Sequence, residues 1–405
     1  MRIRTFRAWR PPGELAAAIA SPPYDVVDRE EAARLARGNP MCFLRVSRAD
    51  LEFPPSVPPD DPAVYRRAAD NWEAFRSRGW LRQDAAPGLF LYRQAVEGHE
   101  QIGLAALYSV ADYDAGLVRR HEHTRPAPEA DRARHIAATG IHAGPVFLAF
   151  RDGEGLADRM ARQTARSEPE CDFTAADGVR HTVWRVPDPT AWVRSFERVL
   201  AAYIADGHHR AAAAARVARE TPGGMKDSAE AAWVLALWFP AERLRILPYH
   251  RAIAHLGGRT AGELLEEIRR RMIVTEADGP QPSGRGDIRM GLAGRWYRLV
   301  CPSPPTGSDP VEALEVSLLQ SLVLTPVLGV TDPRNDSRIS FIGGRGGLGE
   351  LEARLADGRA AVVFSMPPVA MADIMAVADR GGVMPPKSTW FDPKPRSGLI
   401  VHAIR

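Results

Sequence analysis

One stretch constrains this chain more than any other: Ala202-Tyr203-Ile204-Ala205-Asp206-Gly207-His208-His209-Arg210-Ala211-Ala212-Ala213. It reads as a short buried strand, a turn on a single glycine, and an alanine-rich helix running to about Glu220. Where a strand passes directly into a helix, the first helical N–H groups lack intrahelical partners and point at the mouth of the turn. The helix dipole adds positive potential at the same place, so such a turn seats an anion such as phosphate. Gly207 adopts backbone conformations that other residues resist, and it lets a ligand approach closely. His208, His209 and Arg210 add donors, and the run Ala211–Ala215 lets the helix pack tightly on its sheet. Asp206 sets an acid beside this cationic nest, which suits a metal–nucleotide complex or a site that needs a base.

A chain of 405 residues has room for two or three domains and a large core. The formal charge of +3 is nearly balanced, and no long basic run accompanies the pI near 8.9, so nucleic-acid binding is not expected. Cys42, Cys171 and Cys301 lie far apart without paired spacing. That argues against a disulfide framework or a cysteine zinc site and for a reducing, cytoplasmic setting. The longest apolar run, Ala231 to Phe239, is too short to span a bilayer, and Pro11, Pro12 and Glu14 interrupt any signal-like core. Only three of the 53 basic residues are lysines: Lys226, Lys387 and Lys394. A lysine retained among so many arginines is a candidate for a site that needs a compact ammonium, as phosphate chemistry does.

Along the chain, Ser21-Pro22-Pro23-Tyr24-Asp25 reads as a rigid loop feeding a helix capped by Asp28, with Glu31 in capping-box position. Phe43–Val46 is predicted as a strand. Tyr65, Ala68, Trp72 and Phe75 mark the apolar face of a helix. Leu89–Val96 and Ile102–Val110 form a predicted hairpin. A helix over Pro128–Thr139, a strand over Val146–Phe150, a helix over Leu156–Arg166 and a strand over His181–Val186 follow. After the central turn come strands at Ala231–Trp238 and Leu244–Leu247, and a boundary is predicted near Gly257-Gly258. The last 150 or so residues alternate in α/β fashion, including a helix over Pro310–Val323. The glycine-rich segment Gly343–Gly349 lacks a strand–GxxxxGK–helix pattern and is weak as a nucleotide loop.

Three segments far apart in sequence concentrate chemistry-bearing residues. His121-Glu122-His123-Thr124 sets a carboxylate between two imidazoles, and such a carboxylate serves as a general base if it reaches a substrate hydroxyl. Asp206–Arg210 is the phosphate nest. Pro386-Lys387-Ser388-Thr389 offers a lysine and two hydroxyls, a common way to hold a transferred phosphoryl group. Singly, each has a plainer account: a solvated strand end, an ordinary strand-to-helix turn, a loop with a surface lysine. Their joint occurrence points to phosphoryl transfer. A His/carboxylate hydrolase built from His121, Glu122, His123, Asp206, His208 and His209 is the competing chemistry, though HEHT lacks HExxH spacing and leaves Arg210 and Lys387 unused.

At these segments the chain resembles the archaeal free-serine kinases of the ParB/sulfiredoxin-like superfamily. Those enzymes carry a His-Glu motif, a DGHHR turn on a strand–helix junction and a C-terminal PK[ST]T-like motif in the same order. Over its whole length it also resembles a widespread bacterial family known only as a domain of unknown function. That resemblance rests on Ser21–Val27, His121-Glu122, Asp206–Arg210, Leu244–Pro248 and Met384–Thr389. It implies an α+β fold with three parts. These are an N-terminal α+β segment (1–115), a ParB/sulfiredoxin-like mixed-sheet nucleotide-binding core (116–257) and a C-terminal α/β domain (258–405) contributing PKST.

For the site, the resemblance implies Glu122 as catalytic base, with Asp206 assisting it or holding Mg2+. It assigns Gly207, His208, His209 and Arg210, with His121, to the nucleotide phosphates, and Lys387, Ser388 and Thr389, with Thr124, to substrate or phosphate. The implied activity is transfer from ATP, or alternatively ADP, to the hydroxyl of free L-serine or a similar small molecule. The alternative within the superfamily is a nucleotide-binding regulator without turnover. His208 stands where sulfiredoxins carry their reactive cysteine, and no helix-turn-helix like that of the DNA-binding members is evident. Neither a nucleic-acid nor a membrane partner is expected, and the oligomeric state is open.

Overall fold

The structure, a computed structural model, describes residues 1–305, 307 and 309–405. The chain divides into two compact units: Met1–Leu244 together with Pro393–Arg405, and Arg245–Asp392.

The first unit is built on one mixed sheet. In chain order its strands are β1 (Ile3–Arg4), β2 (Phe90–Val96), β3 (His99–Ser109), β4 (Val118–Arg119), β5 (Val146–Phe150), β6 (Cys171–Thr174), β7 (Arg180–Arg185), β8 (Ala202–Asp206) and β9 (Trp233–Pro240). They lie in the order β4-β8-β5-β9-β3-β2-β7-β6, with β1 also paired to β3. Every residue of β5 and β9 is buried, as continuous apolar runs such as Val146–Phe150 require when both faces of a strand are covered. Two pairs, β4/β8 and β5/β9, are parallel, and the others are antiparallel.

The parallel pairing of β4 with β8 sets the site. Ala202 and Tyr203 align with Val118 and Arg119, so both strands run the same way and their C-terminal ends open at one edge of the sheet. His121-Glu122 leaves one end and Asp206-Gly207 leaves the other. The register of β8 against β5 shifts between Ile204 and Asp206, an irregularity of the kind that re-aims a side chain at a strand end. Two helices pack together beside this edge, α1 (Pro126–Thr139) and α2 (His208–Glu220). Ala211, Ala213 and Ala215 of α2 are fully buried, so small side chains let it lie close to its neighbours.

Within the second unit, a six-stranded sheet is formed by β10 (Tyr249–Ile253), β11 (Ile273–Ala277), β12 (Ile288–Leu292), β13 (Arg295–Val300), β14 (Ile339–Gly343) and β15 (Val362–Ser365), in the order β11-β13-β12-β15-β10-β14. Its helix Ala261–Arg269 begins with a complete capping box between Thr260 and Glu263.

Three expectations change. Phe43–Val46 is not a strand: Leu44–Ser47 forms one helical turn, and a four-residue stretch in which Phe43, Leu44 and Val46 are all buried carries no period that separates the two states. The helix expected over Pro310–Val323 is confined to Glu315–Leu319 followed by a wider π turn, Gln320–Leu324. The expected divisions at 115/116 and 257/258 also move. Strands β1 to β3 belong to the same sheet as β8, and the last 13 residues return to the first unit, where His402–Ala403 pairs with Ile141–His142.

Candidate functional site

Gly207 is the hinge of the site. Its φ of +93° lies in the left-handed region, and a Cβ added there would fall 2.9 Å from the Arg210 guanidinium. The helix then starts at once. No side chain caps it, so its first N–H groups are left to a ligand or solvent, and the first return bond runs from the Ala211 N–H to the Gly207 carbonyl at 2.9 Å.

Asp206 is gripped from two sides. The Lys394 ammonium donates to Oδ1 at 2.6 Å, and the Arg210 guanidinium donates to Oδ2. Burial pushes the carboxyl upward, but Lys394 and Arg210 outweigh it and hold it at about 2. A carboxylate so acidic is a poor proton acceptor near neutrality. In this arrangement Asp206 is an anionic anchor for two cations. Arg210 in turn donates to the Pro145 carbonyl and lies 3.9 Å from Asp25. One guanidinium thus ties the turn to the start of β5 and to the N-terminal Pro-Pro-Tyr-Asp loop.

His121 and His208 meet edge to face, 4.6 Å between ring centres. Both are buried and neutral: burial holds His121 at about 4 and puts His208 well below the usual imidazole range. Among the described residues, ten buried side-chain nitrogens and oxygens lack a hydrogen-bond partner. Three of them are here, His121 Nδ1, His208 Nε2 and Arg210 Nε. Native interiors seldom leave such groups unsatisfied without a ligand or water to meet them. Glu122 stands beside them with its side chain 61% exposed, its Oε2 3.8 Å from His208 Nδ1, outside hydrogen-bond reach. The segment is fastened to both helices: the Arg125 N–H donates to His209 Nε2 at 3.1 Å, and Thr124 Oγ1 donates to Glu129 at 2.7 Å. His123 is exposed.

The hydrolase arrangement does not assemble. Among the described residues no three His, Cys, Asp or Glu side chains converge as metal ligands. The reasons are local: the two buried rings stand nearly perpendicular, His209 Nε2 is taken by a main-chain donor, and Asp206 is neutralised by cations.

Lys387, Ser388 and Thr389 lie in the second unit. Ser388 is buried and its hydroxyl donates to the Pro385 carbonyl at 2.5 Å. Lys387 is exposed, adopts a φ of +52° and stands 5.7 Å from the centre of the Tyr249 ring. Lys394 is the lysine that meets Asp206. Its rarity marks it in the sequence as a candidate for phosphate chemistry, but no local pattern announces a partner 188 residues away.

The walls of the site come from the N-terminal loop and α1 as well. Arg210, Gly144 and Ser397 border a narrow cavity of about 30 Å³. Tyr24, Ser47, Arg132 and His135 line both this cavity and a wider one of about 450 Å³, which Asp25 and Asp131 also face. Arg132 stacks 4.0 Å from the centre of the Tyr24 ring and is paired with Asp131. The Pro-Pro-Tyr-Asp loop, read as scaffold, therefore borders the space beside the turn.

These buried groups predict an acid-labile fold. His121 and His135 both sit at about 4, below the unfolded value of 6.5, so unfolding takes up protons between those pH values. Stability falls as pH drops from 6.5 to about 4, by up to about 1.4 kcal/mol per pH unit for each such histidine. Asp206 adds a second loss as pH falls from its unfolded 3.8 towards 2. Denaturant unfolding at pH 7, 5.5 and 4.5 should show this slope, and His121→Asn should reduce it. A flat profile would contradict the buried neutral assignment.

No helix among the described residues is long and apolar enough to cross a membrane, and the three cysteines are free. No curated protein matches the chain. Among solved structures it is similar to a free serine kinase in complex with AMP, at 15% identity and a TM-score of 0.36, covering 71% of this chain and 86% of that one. A conserved hypothetical protein from Pyrococcus furiosus is similar at 14% identity and a TM-score of 0.35, covering 72% and 93%. SbnI with a C-terminal truncation, from Staphylococcus aureus, is similar at 12% identity and a TM-score of 0.37, covering 74% and 87%. The family model described as a protein of unknown function, DUF1015, matches residues 3–317, more than three quarters of the sequence, and the chain belongs to that family.

Proposed function

We propose that this chain is a small-molecule kinase that binds a nucleotide at the Gly207 turn and transfers a phosphoryl group to a hydroxylated metabolite such as L-serine, on a ParB/sulfiredoxin-like core. The observation that carries the proposal is the presence of three unpartnered buried groups, His121 Nδ1, His208 Nε2 and Arg210 Nε, around an uncapped helix start. Main-chain N–H groups and the helix dipole attract the phosphates, and Lys394 and Arg210 supply fixed positive charge. The motif resemblance of His121-Glu122 and Asp206–Arg210 to the free-serine kinases supports the same reading.

The chemistry asked of the protein is positioning and charge. The acceptor oxygen forms the new P–O bond while the bond to the leaving phosphate oxygen breaks with its electron pair. Glu122 takes the hydroxyl proton. Exposed on its loop, it is accessible to an incoming substrate, and catalytic hydrogen bonds commonly tighten only when substrate is present. Magnesium, on this reading, arrives with ATP or ADP as part of the substrate.

Gly207→Ala tests the seat. The left-handed φ and the approach to Arg210 make any side chain costly there, by about 1–2 kcal/mol. In a unit of this size each kcal/mol lowers Tm by about 2–4 °C. ADP affinity measured by calorimetry should fall by about tenfold or more, since the N–H groups are displaced with the turn. Unchanged affinity would place the nucleotide elsewhere.

A further inference from the structure

Lys394 reaches Asp206 because a short strap, Pro393–Ser397, is laid across the sheet, and the residues beneath it are unusual. Gln94 and Gln101 are neighbours on the β2/β3 hairpin and only 0% and 1% exposed. Their amides are spent on the strap's main chain: Gln101 Nε2 donates to the Pro393 carbonyl at 3.0 Å, and Gln94 Nε2 to the Lys394 carbonyl at 2.9 Å. Gln101 also donates to Gln94 Oε1 at 3.0 Å, so the pair is locked together.

A second pair grips the next residue but one. Arg396 Nε donates to His181 Nε2 at 3.2 Å, which requires a lone pair on that nitrogen and places the imidazole proton on Nδ1. The Nδ1–H then donates to the Tyr92 hydroxyl oxygen at 2.7 Å, and this oxygen also accepts the Arg396 main-chain N–H at 3.2 Å. Burial, with Arg396 adding to it, holds His181 at about 3, so the ring stays neutral at any ordinary pH. Beyond it, the Ser397 and Ser21 main chains exchange two hydrogen bonds at 2.9 and 3.1 Å.

Four fully buried polar side chains on one face of a sheet are expensive to keep unless each is satisfied. Here they are satisfied largely by Pro393, Lys394 and Arg396 of the strap or by one another. We infer that Gln94, Gln101, Tyr92 and His181 are positioning residues that seat the strap and so set the Lys394 ammonium on Asp206. They touch neither Asp206 nor the turn and act through residues 393–396. The seating stands on geometry alone; its consequence for phosphoryl transfer rests on the kinase reading above.

The composition offers a direct test. With three lysines in the whole chain, acylation of Lys394 can be followed by peptide mass spectrometry against Lys226 as the internal reference. In Gln94→Leu/Gln101→Leu, apolar replacement of both partners keeps the fold, as circular dichroism and Tm can verify. Losing two hydrogen bonds to the strap should raise Lys394 reactivity about tenfold. Gln94→Leu alone, which leaves Gln101 on Pro393, should give a smaller rise and covers the case in which the double variant does not fold. Lys394 reactivity equal to wild type in a folded variant overturns the inference. ADP affinity gives the second readout. If the glutamines act through Lys394, their loss and that of Lys394→Met are not additive, whereas additive losses mark a merely structural role and overturn it too. Failure of ADP to bind wild-type protein would count against the kinase reading and leave the reactivity result to decide the seating.

Discussion

Glu122→Gln should lower phosphoryl transfer by about 10²- to 10⁴-fold while leaving nucleotide affinity within about twofold of wild type. The split follows from position. Glu122 leaves the end of β4 on a loop with its side chain 61% exposed, whereas the N–H groups of α2, Lys394 and Arg210 are placed by β8 and the strap. An isosteric amide keeps the loop's shape and removes only the ability to take a proton. Calorimetry with ADP beside initial rates at saturating nucleotide separates the two quantities. Equal loss of affinity and rate would show that Glu122 binds the nucleotide.

Arg210→Ala should have the largest effect on the fold itself. The guanidinium is buried, donates to Asp206 and the Pro145 carbonyl, and has Asp25 at 3.9 Å. Its removal leaves Asp206 to Lys394 alone and takes the counter-charge from Asp25. Breaking a buried ion pair from one side costs about 3–5 kcal/mol. At about 2–4 °C per kcal/mol, Tm should fall by roughly 10 °C. Nucleotide affinity falls with it, because the same residue orients the turn. Arg210→Lys keeps a charge but loses the planar fork, and should recover only part of the stability. Thermal unfolding of the three proteins checks this, and a loss under about 1 kcal/mol would mean that the cluster is held by other contacts.

Much of the site edge is written locally. Asp206-Gly207 followed by five alanines within α2 specifies strand, left-handed turn and close-packed helix without reference to the rest of the chain. The hairpin of β2 and β3 is likewise legible, its turn falling on Glu97-Gly98, both at positive φ. That His121-Glu122 stands beside this turn was not legible, because it depends on the parallel pairing of a two-residue strand with β8 across some eighty positions. Lys394 is harder still. Its scarcity marks it, but the strap that places it is specified by Gln94, Gln101, Tyr92 and His181, which in sequence are ordinary polar positions of three strands. Asp206 shows the same limit: an acid beside histidines suggests a base or metal ligand, whereas Arg210 of its own turn and the distant Lys394 hold it as an anchor. The four-residue run Phe43–Val46 carried no period at all, and tertiary packing chose a helical turn.

The central claim is that the Gly207 turn holds a nucleotide whose phosphoryl group passes to a hydroxyl under Glu122. The most direct measurement is phosphorus NMR of wild-type protein with ATP or ADP and a panel of hydroxylated metabolites beginning with L-serine. The account predicts a new phosphomonoester formed in step with the shortened nucleotide, and its disappearance with Glu122→Gln. Intact nucleotides across the panel, or release of inorganic phosphate alone, would contradict it.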